Sequence, residues 1–99
     1  MSGATAETEV TITHVVGLHA RPSVKLTKLA KTFQAKTEIA PSSNGPWVDA
    51  KSIVKVMAMK VPEGAVLHIR ATGADADAAV VTLRGLVERD FDEGGGDEG

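Results

Sequence analysis

The stretch Gly17-Leu18-His19-Ala20-Arg21-Pro22-Ser23 decides how this chain folds, because it joins a strand-like segment to a helix. Pro22 suits the first turn of a helix, where its missing N–H has no intrahelical partner. His19 is then expected on the last loop residues, with Arg21 in or beside the first turn. Free backbone amides and the positive end of the helix dipole favour an anion there. An imidazole and a guanidinium beside these amides indicate a phosphoryl group carried on His19.

The segments around this stretch predict the element order β-α-β-β-α-β-α. A helix over residues 20–33 follows from apolar residues at helical spacing, which are Val24, Leu26, Leu29, Ala30 and Phe33, with Lys25, Lys28 and Lys31 outward. Further helices are predicted over 52–59, capped by Ser52, and over about 75–90, capped by Gly73-Ala74-Asp75. Strands are predicted over 9–14, 36–40, 47–49 and 65–71, with a hairpin at Asn44-Gly45 and an edge strand after Pro46.

This order predicts an α+β fold. Right-handed crossovers joined by one hairpin give a two-layer open-faced sandwich, with a four-stranded antiparallel sheet covered on one face by three helices. The two ends of the chain differ from the body in composition. Residues 1–7 are small and polar, and we expect a flexible N-terminus. Residues 91–99 are acidic and Gly-rich, and we expect a disordered tail, which leaves one domain over 8–90.

Charge and composition exclude several function classes. The net charge is −2, but residues 1–89 hold 11 bases against 8 acids. So small a positive charge, with 3% aromatic residues, argues against a nucleic-acid partner and fits docking on an acidic protein surface. No run of about 18 apolar residues is present, so we expect no membrane insertion. The chain has no cysteine and its first residues lack a signal-peptide pattern, so we expect a cytoplasmic protein.

Two motifs at a fixed separation resemble the HPr family, the histidine-containing phosphocarriers of the bacterial phosphotransferase system. The first is the stretch over 17–23, and the second runs from Ser43-Asn44-Gly45 through Asp49-Ala50-Lys51-Ser52-Ile53. The resemblance covers roughly residues 8–90. It implies that His19 is phosphorylated on Nδ1 and that Arg21 contacts the phosphoryl group. It also implies that Ser52 matches a serine that a dedicated kinase modifies in many bacteria, although the same residue would be an N-cap in either case.

The resemblance also implies a docking surface and its partners. The partner-binding positions that it suggests are an apolar patch on the second helix and basic residues near the histidine, with Ala20, Lys28, Lys31, Ile53, Val54 and Met57 as the candidates. Enzyme I would be the phosphoryl donor and enzyme IIA domains the acceptors, with HPr kinase/phosphorylase acting on Ser52. Such a protein is a carrier and not an enzyme, works as a monomer and needs no cofactor. Val16, before Gly17, departs from the small polar residue frequent in the family and leaves the shape of the loop open.

The same residues are compatible with other functions. A non-catalytic regulator could bind a partner through the same apolar patch, but retention of His19 with Arg21 argues against it. The nitrogen-related branch of the phosphotransferase system stays open beside the sugar branch. His14 and His68, with Glu9, could suggest a metal site, but they fall on different predicted strands without ligand spacing, so no metal is expected. The acidic segment over 90–94 lacks the later ligands of a calcium loop.

Overall fold

The computed structural model of the protein describes residues 4–13 and 20–92. The elements are β1 (Thr5–Thr11), α1 (Ala20–Ala30), β2 (Lys36–Ala40), β3 (Val48–Asp49), α2 (Ile53–Ala58), β4 (Val66–Thr72) and α3 (Ala76–Glu88), followed by a 3-10 turn at Asp90–Asp92. Their order is β-α-β-β-α-β-α, and the predicted open-faced sandwich with a four-stranded antiparallel sheet and three helices is confirmed. None of the helices in the described part of the chain is long and apolar enough to cross a membrane.

The sheet has the strand order β1-β4-β2-β3, and every neighbouring pair is antiparallel. Alternation along β4 turns Leu67 and Ile69 into the core, where both are fully buried, while His68 and Arg70 face away from the helices. α3 packs against β1 and β4, and α1 packs against α2. β3 lies at an edge of the sheet, as predicted from Pro46.

The buried side of α1 differs from the prediction. The helix ends at Ala30, three residues before the predicted end, and Val24 is 43% exposed although it was expected in the core. The buried positions of α1 recur at helical spacing and are Pro22, Ser23, Leu26, Thr27 and Ala30. Because Ser23 and Thr27 belong to this row, the apolar Val24 falls outside it. Lys28 and Lys31 are exposed as expected, whereas Lys25 is half-buried and its Nζ donates to the carbonyl of Phe91 at 2.9 Å.

Both predicted domain boundaries are corrected. β1 begins at Thr5 instead of residue 9, so residues 5–7 pair with β4 and are not part of a frayed N-terminus. At the other end, Phe91 was assigned to the disordered tail, but it is fully buried and belongs to the hydrophobic core. The favourable free energy of burying an aromatic ring fixes the chain there. Thr13 also donates a hydrogen bond to Asp90, which joins the two ends of the described chain.

Asp75 does not cap α3 through its side chain, contrary to the prediction. Its carboxylate instead accepts hydrogen bonds from the backbone amides of Gln34 at 2.9 Å and Ala35 at 2.7 Å, in the connection between α1 and β2. These bonds, that of Gln34 foremost, hold the pKa of Asp75 below its ordinary value, although desolvation opposes them. Asp75 therefore ties the start of α3 to the end of α1.

Candidate functional site

The predicted site is built at the start of α1. His19 and Val16 lie outside the described residues, and α1 begins at the next described position, Ala20. Arg21 is exposed in the first turn, while the ring of Pro22 is buried. The prediction that this stretch opens a helix is therefore confirmed at Ala20. The role of His19 itself stays a prediction.

The first turn of α1 is suited to an anion. It contains no acidic residue, and the first N–H groups of an α-helix have no partner within the helix. Aligned peptide dipoles place roughly half a positive charge at such a terminus. The guanidinium of Arg21 adds a full positive charge in the same turn. An anionic group attached to the residue before Ala20 would be favoured by both.

Ser52 is the N-cap of α2, as the sequence predicts. Its backbone is extended, with φ −106° and ψ 110°, and its Oγ accepts a hydrogen bond from the N–H of Lys55 at 3.4 Å. Its carbonyl accepts from the N–H of Val56 at 3.0 Å. The side chain is half-buried, so part of it is accessible to solvent. The hydroxyl thus has a structural use whether or not a kinase acts on it.

α2 displays apolar side chains that it cannot bury. The helix has six residues, and only Val56 is buried. Val54 is 75% exposed and Met57 is 40% exposed, while Ile53 is half-buried. We call the exposed surface formed by Ile53, Val54 and Met57 the α2 patch. A contiguous exposed apolar surface of this kind is typical of a protein-binding site.

Lysines belong to the same side of the molecule as the α2 patch. Lys28 and Lys31 are exposed at the end of α1, the helix that packs against α2, and Ala20 at its start is half-buried. Within residues 4–13 and 20–92, these two lysines form no ion pair with Asp or Glu. Apolar contact and positive charge are therefore both available to a partner on the helical side.

Of the three residues weighed for a metal site, His68 and Glu9 lie next to each other on the sheet. His68 Nδ1 lies 3.6 Å from Glu9 Oε1, because the two residues are opposite each other in the β1–β4 register. His14 lies outside the described residues. No group of three His, Asp or Glu side chains suited to an ion is present among the described residues.

Sequence reasoning missed one ordered cluster on the open face of the sheet. Arg70 Cζ lies 4.1 Å from the ring centroid of Trp47, and its Nε donates to Glu38 Oε1 at 2.8 Å. The alternation of β2 and β4 could have placed Glu38 and Arg70 on one face, but the pairing register of the strands is not readable from a single sequence. This cluster lies on the opposite side of the sheet from the helices.

Comparison with known proteins gives one consistent result. A model of the family described as "PTS HPr component phosphorylation site" matches residues 6–89. The chain is 39% identical over 87 residues to phosphocarrier protein HPr of Xylella fastidiosa, covering 88% of this chain and 96% of that protein. It is 40% identical over 86 residues to phosphocarrier protein HPr of Cupriavidus necator, covering 87% and 94%. The crystal structure of HPr from Thermoanaerobacter tengcongensis superposes with a TM-score of 0.81 at 32% identity, covering 89% of this chain and 97% of that chain.

Proposed function

This chain belongs to the HPr family of phosphocarrier proteins, and we propose that it accepts a phosphoryl group on His19 from enzyme I and passes it to an enzyme IIA domain. The observation that carries the proposal is the family match over residues 6–89, which spans the stretch around His19. The start of α1 directly after that histidine, with Arg21 in its first turn, supports it further. The protein then acts as a carrier and not as a catalyst, in the cytoplasm.

The proposed transfer moves one phosphoryl group between two nitrogen atoms. His19 Nδ1 attacks the phosphorus of the phosphorylated donor, and the bond from phosphorus to the donor's histidine breaks as the new N–P bond forms. No oxidation or reduction takes place. Arg21 neutralises negative charge on the phosphoryl oxygens, and the free amides of the first turn donate hydrogen bonds to them. Because the same groups disfavour a protonated imidazole, His19 is kept as a nucleophile.

We assign partner docking to the helical side. The α2 patch supplies apolar contact, and Lys28 and Lys31 attract an acidic surface around the partner's own active site. Ala20 follows the histidine directly along the chain, and its methyl side chain is too small to obstruct approach. Transfer needs a short-lived complex between this chain, which we take to be a monomer, and its partner. A small apolar centre with a charged rim is suited to such a complex.

Ser52 is the proposed regulatory position, modified by HPr kinase/phosphorylase. A phosphate on Ser52 would add a charge of about −2 next to Ile53 and Val54 of the α2 patch. Its position at the start of α2 tolerates the charge, because helix N-termini favour anions. Acidic partners that dock on the patch would be repelled. Phosphorylation at Ser52 therefore lowers the rate of transfer through His19 without unfolding α2.

Mass spectrometry after incubation with phosphoenolpyruvate and enzyme I tests the carrier role. We expect one acid-labile phosphoryl adduct on the native chain and none on the His19→Ala variant. His68→Ala is the matched control, because His68 lies on the open sheet face and should leave the adduct intact. An adduct that persists in His19→Ala, or its absence from the native chain, contradicts the proposal.

A regulator that binds without phosphoryl transfer is the second candidate, and the exposure of Val54 and Met57 is the observation that favours it. The two functions separate in one binding experiment. If a partner's affinity is unchanged by His19→Ala and abolished by Met57→Glu, and if no phosphoryl adduct forms, the regulator is the correct assignment. Sugar and nitrogen-related IIA domains, offered as acceptors in parallel, identify the branch that the carrier serves.

A further inference from the structure

The open face of the sheet is the side that the helices do not cover. It is formed by side chains that alternate with the core residues of β1, β4 and β2. The strand register aligns Glu9, His68 and Ala40 across the three strands on this face. Ala40 is fully buried even though it faces away from the helices. Continuation of the β2–β3 register beyond Ile39 and Val48 brings Trp47 opposite Ala40. The hairpin that carries Trp47 therefore covers this part of the sheet.

Trp47 is held in place by groups on two sides. Its ring lies 4.1 Å from Arg70 Cζ, and Arg70 is itself fixed by its 2.8 Å hydrogen bond to Glu38. On the hairpin side, the N–H of Gly45 donates to the carbonyl of Ser42 at 2.9 Å, and Ser42 Oγ donates back to the Gly45 carbonyl at 2.8 Å. Gly45 has φ +90°, and a Cβ there would come within 2.9 Å of the backbone nitrogen of Trp47. An indole that is already ordered loses little entropy when a partner binds it.

A depression of about 540 Å³ separates Trp47 from β1. We call it the Trp47 depression, and its walls include Glu7, Glu9, Ser43, Trp47 and His68. The side chain of Glu9 is 67% exposed and Glu7 is exposed, and residues two apart on a strand are about 7 Å apart on the same face. Arg84 reaches the rim, but its Nε is bound to Glu88 at 3.1 Å and its guanidinium also contacts Thr8. Arg70 lies opposite Glu7 in the β1–β4 register, but its Nε is bound to Glu38. Glu9 has the His68 ring 3.6 Å away. With Arg70 and Arg84 each bound to another glutamate, Glu7 and Glu9 leave the depression with a net negative charge.

We propose that the Trp47 depression is a second docking surface, for a Lys- or Arg-bearing segment of a partner protein. The ammonium or guanidinium group would lie between the carboxylates of Glu7 and Glu9, and its alkyl stem would pack on the indole of Trp47. Tryptophan is one of the residues enriched among those that contribute most to binding at protein interfaces. The opposite charge of the two sides favours a basic segment here and an acidic partner on the helical side. Both partners can be bound at once, because the sheet and the helices separate them.

Binding of a hexa-arginine peptide to the full chain at low salt tests this surface. Trp47 is the only tryptophan, so its fluorescence reports binding at the depression alone. We expect saturable quenching by hexa-arginine and none by hexaglutamate. In the Glu7→Gln/Glu9→Gln variant the affinity should fall about fivefold, and 0.5 M salt should remove the binding. Formation of the His19 adduct should be unchanged in this variant, so failure here is distinguishable from failure of the carrier role.

The matched control is Glu63→Gln/Asp77→Asn, which removes the same charge from exposed positions outside the depression. We expect its affinity for hexa-arginine to equal that of the native chain. Equal weakening in both double variants would mean attraction by net charge alone and would overturn the proposal. Concentration-dependent dimers that disappear in Glu7→Gln/Glu9→Gln would instead assign the surface to the basic helical side of a second copy. Trp47→Ala, followed by calorimetry, should weaken hexa-arginine binding severalfold, and no change would also overturn the assignment.

Discussion

The helical side and the open sheet face differ in how their exposed side chains are paired. On the helical side, Val54 and Met57 are exposed and Lys28 stands without an ion pair in the described part of the chain. On the sheet face, charged groups are paired across strands, as with Arg70 and Glu38. The sheet face thus combines a charged pair with an ordered indole, whereas the helical side exposes apolar side chains beside a lysine without an ion pair.

Strand pairing and helix length explain this difference. On a sheet, the side chain opposite each residue is about 5 Å away, so charges find partners within the fold. A six-residue helix such as α2 can bury one row of side chains, and the remaining apolar side chains face water. The exposed apolar surface of the helical side therefore follows from the shortness of α2 and not from loose packing of the core.

The largest effect is expected where the two sides meet, in the core. Ile69 on β4 is fully buried, and Ile69→Ala should lower the free energy of unfolding by about 2–5 kcal/mol in urea titrations. His68→Ala changes the adjacent residue on the opposite face and should cost less than about 1 kcal/mol. Equal losses for the two variants would mean that the sheet does not divide a buried face from a solvated one.

Transfer rates test the helical side alone. Met57→Glu places a carboxylate in the α2 patch and should slow phosphoryl transfer to an acidic partner about tenfold, because it adds repulsion where apolar contact is lost. The melting temperature should stay close to that of the native chain, since Met57 is 40% exposed. Val81→Glu makes the same kind of change at an exposed apolar position of α3 and should leave the rate unaltered. Slowing by both variants would assign the effect to net charge.

A smaller effect is expected for the pairing on the sheet face. A double-mutant cycle with Arg70→Gln and Glu38→Gln should give a coupling of about 1 kcal/mol, because this half-buried pair is joined by a 2.8 Å charge-assisted hydrogen bond. The cycle with Lys36→Gln is the comparison, since Lys36 Nζ lies 3.7 Å from Glu38 and its side chain is mostly exposed. We expect a coupling near zero there. A coupling near zero for Arg70 as well would remove the basis for a preordered Trp47.

The pH dependence of stability should identify Asp75 as a structural carboxylate of the helical side. Its lowered pKa means that the folded state holds the proton more weakly than the unfolded chain, so its stabilisation is present above about pH 3.8 and is lost as the pH falls. Asp75→Asn should melt at a lower temperature than the native chain at pH 7, and the two melting curves should converge in acid. Glu63→Gln, at an exposed turn, should show no such convergence.

The sequence was sufficient for the element order because each element has a local signature. β2 was predicted with its observed bounds, and Ser52 was recognised as the cap of α2. The start of α1 followed from Pro22. In each case the deciding interaction lies within a few residues along the chain.

The errors arose where a distant part of the chain decides the outcome. Phe91 stands in an acidic, Gly-rich context, and only the three-dimensional fold shows that it fills the core. Val24 was predicted to be buried because it is apolar, but the row of α1 that packs on the core contains Leu26 and Ala30 and not Val24. Asp75 is a residue type that commonly caps helices, yet its carboxylate accepts hydrogen bonds from backbone amides 40 and 41 residues earlier. The Trp47–Arg70 contact depends on strand register in the same way.

The short connection after α1 is held from two directions. Lys51 Nζ donates to the carbonyl of Phe33 at 2.8 Å, and Asp75 receives the amides of Gln34 and Ala35. Exchange of these two amides with deuterium requires that their contact with the Asp75 carboxylate opens, so it reports the local stability of this connection. Lys51 also precedes Ser52 directly. The segment after α1, the residue before the cap of α2 and the residue before α3 are thus joined by hydrogen bonds at one connection.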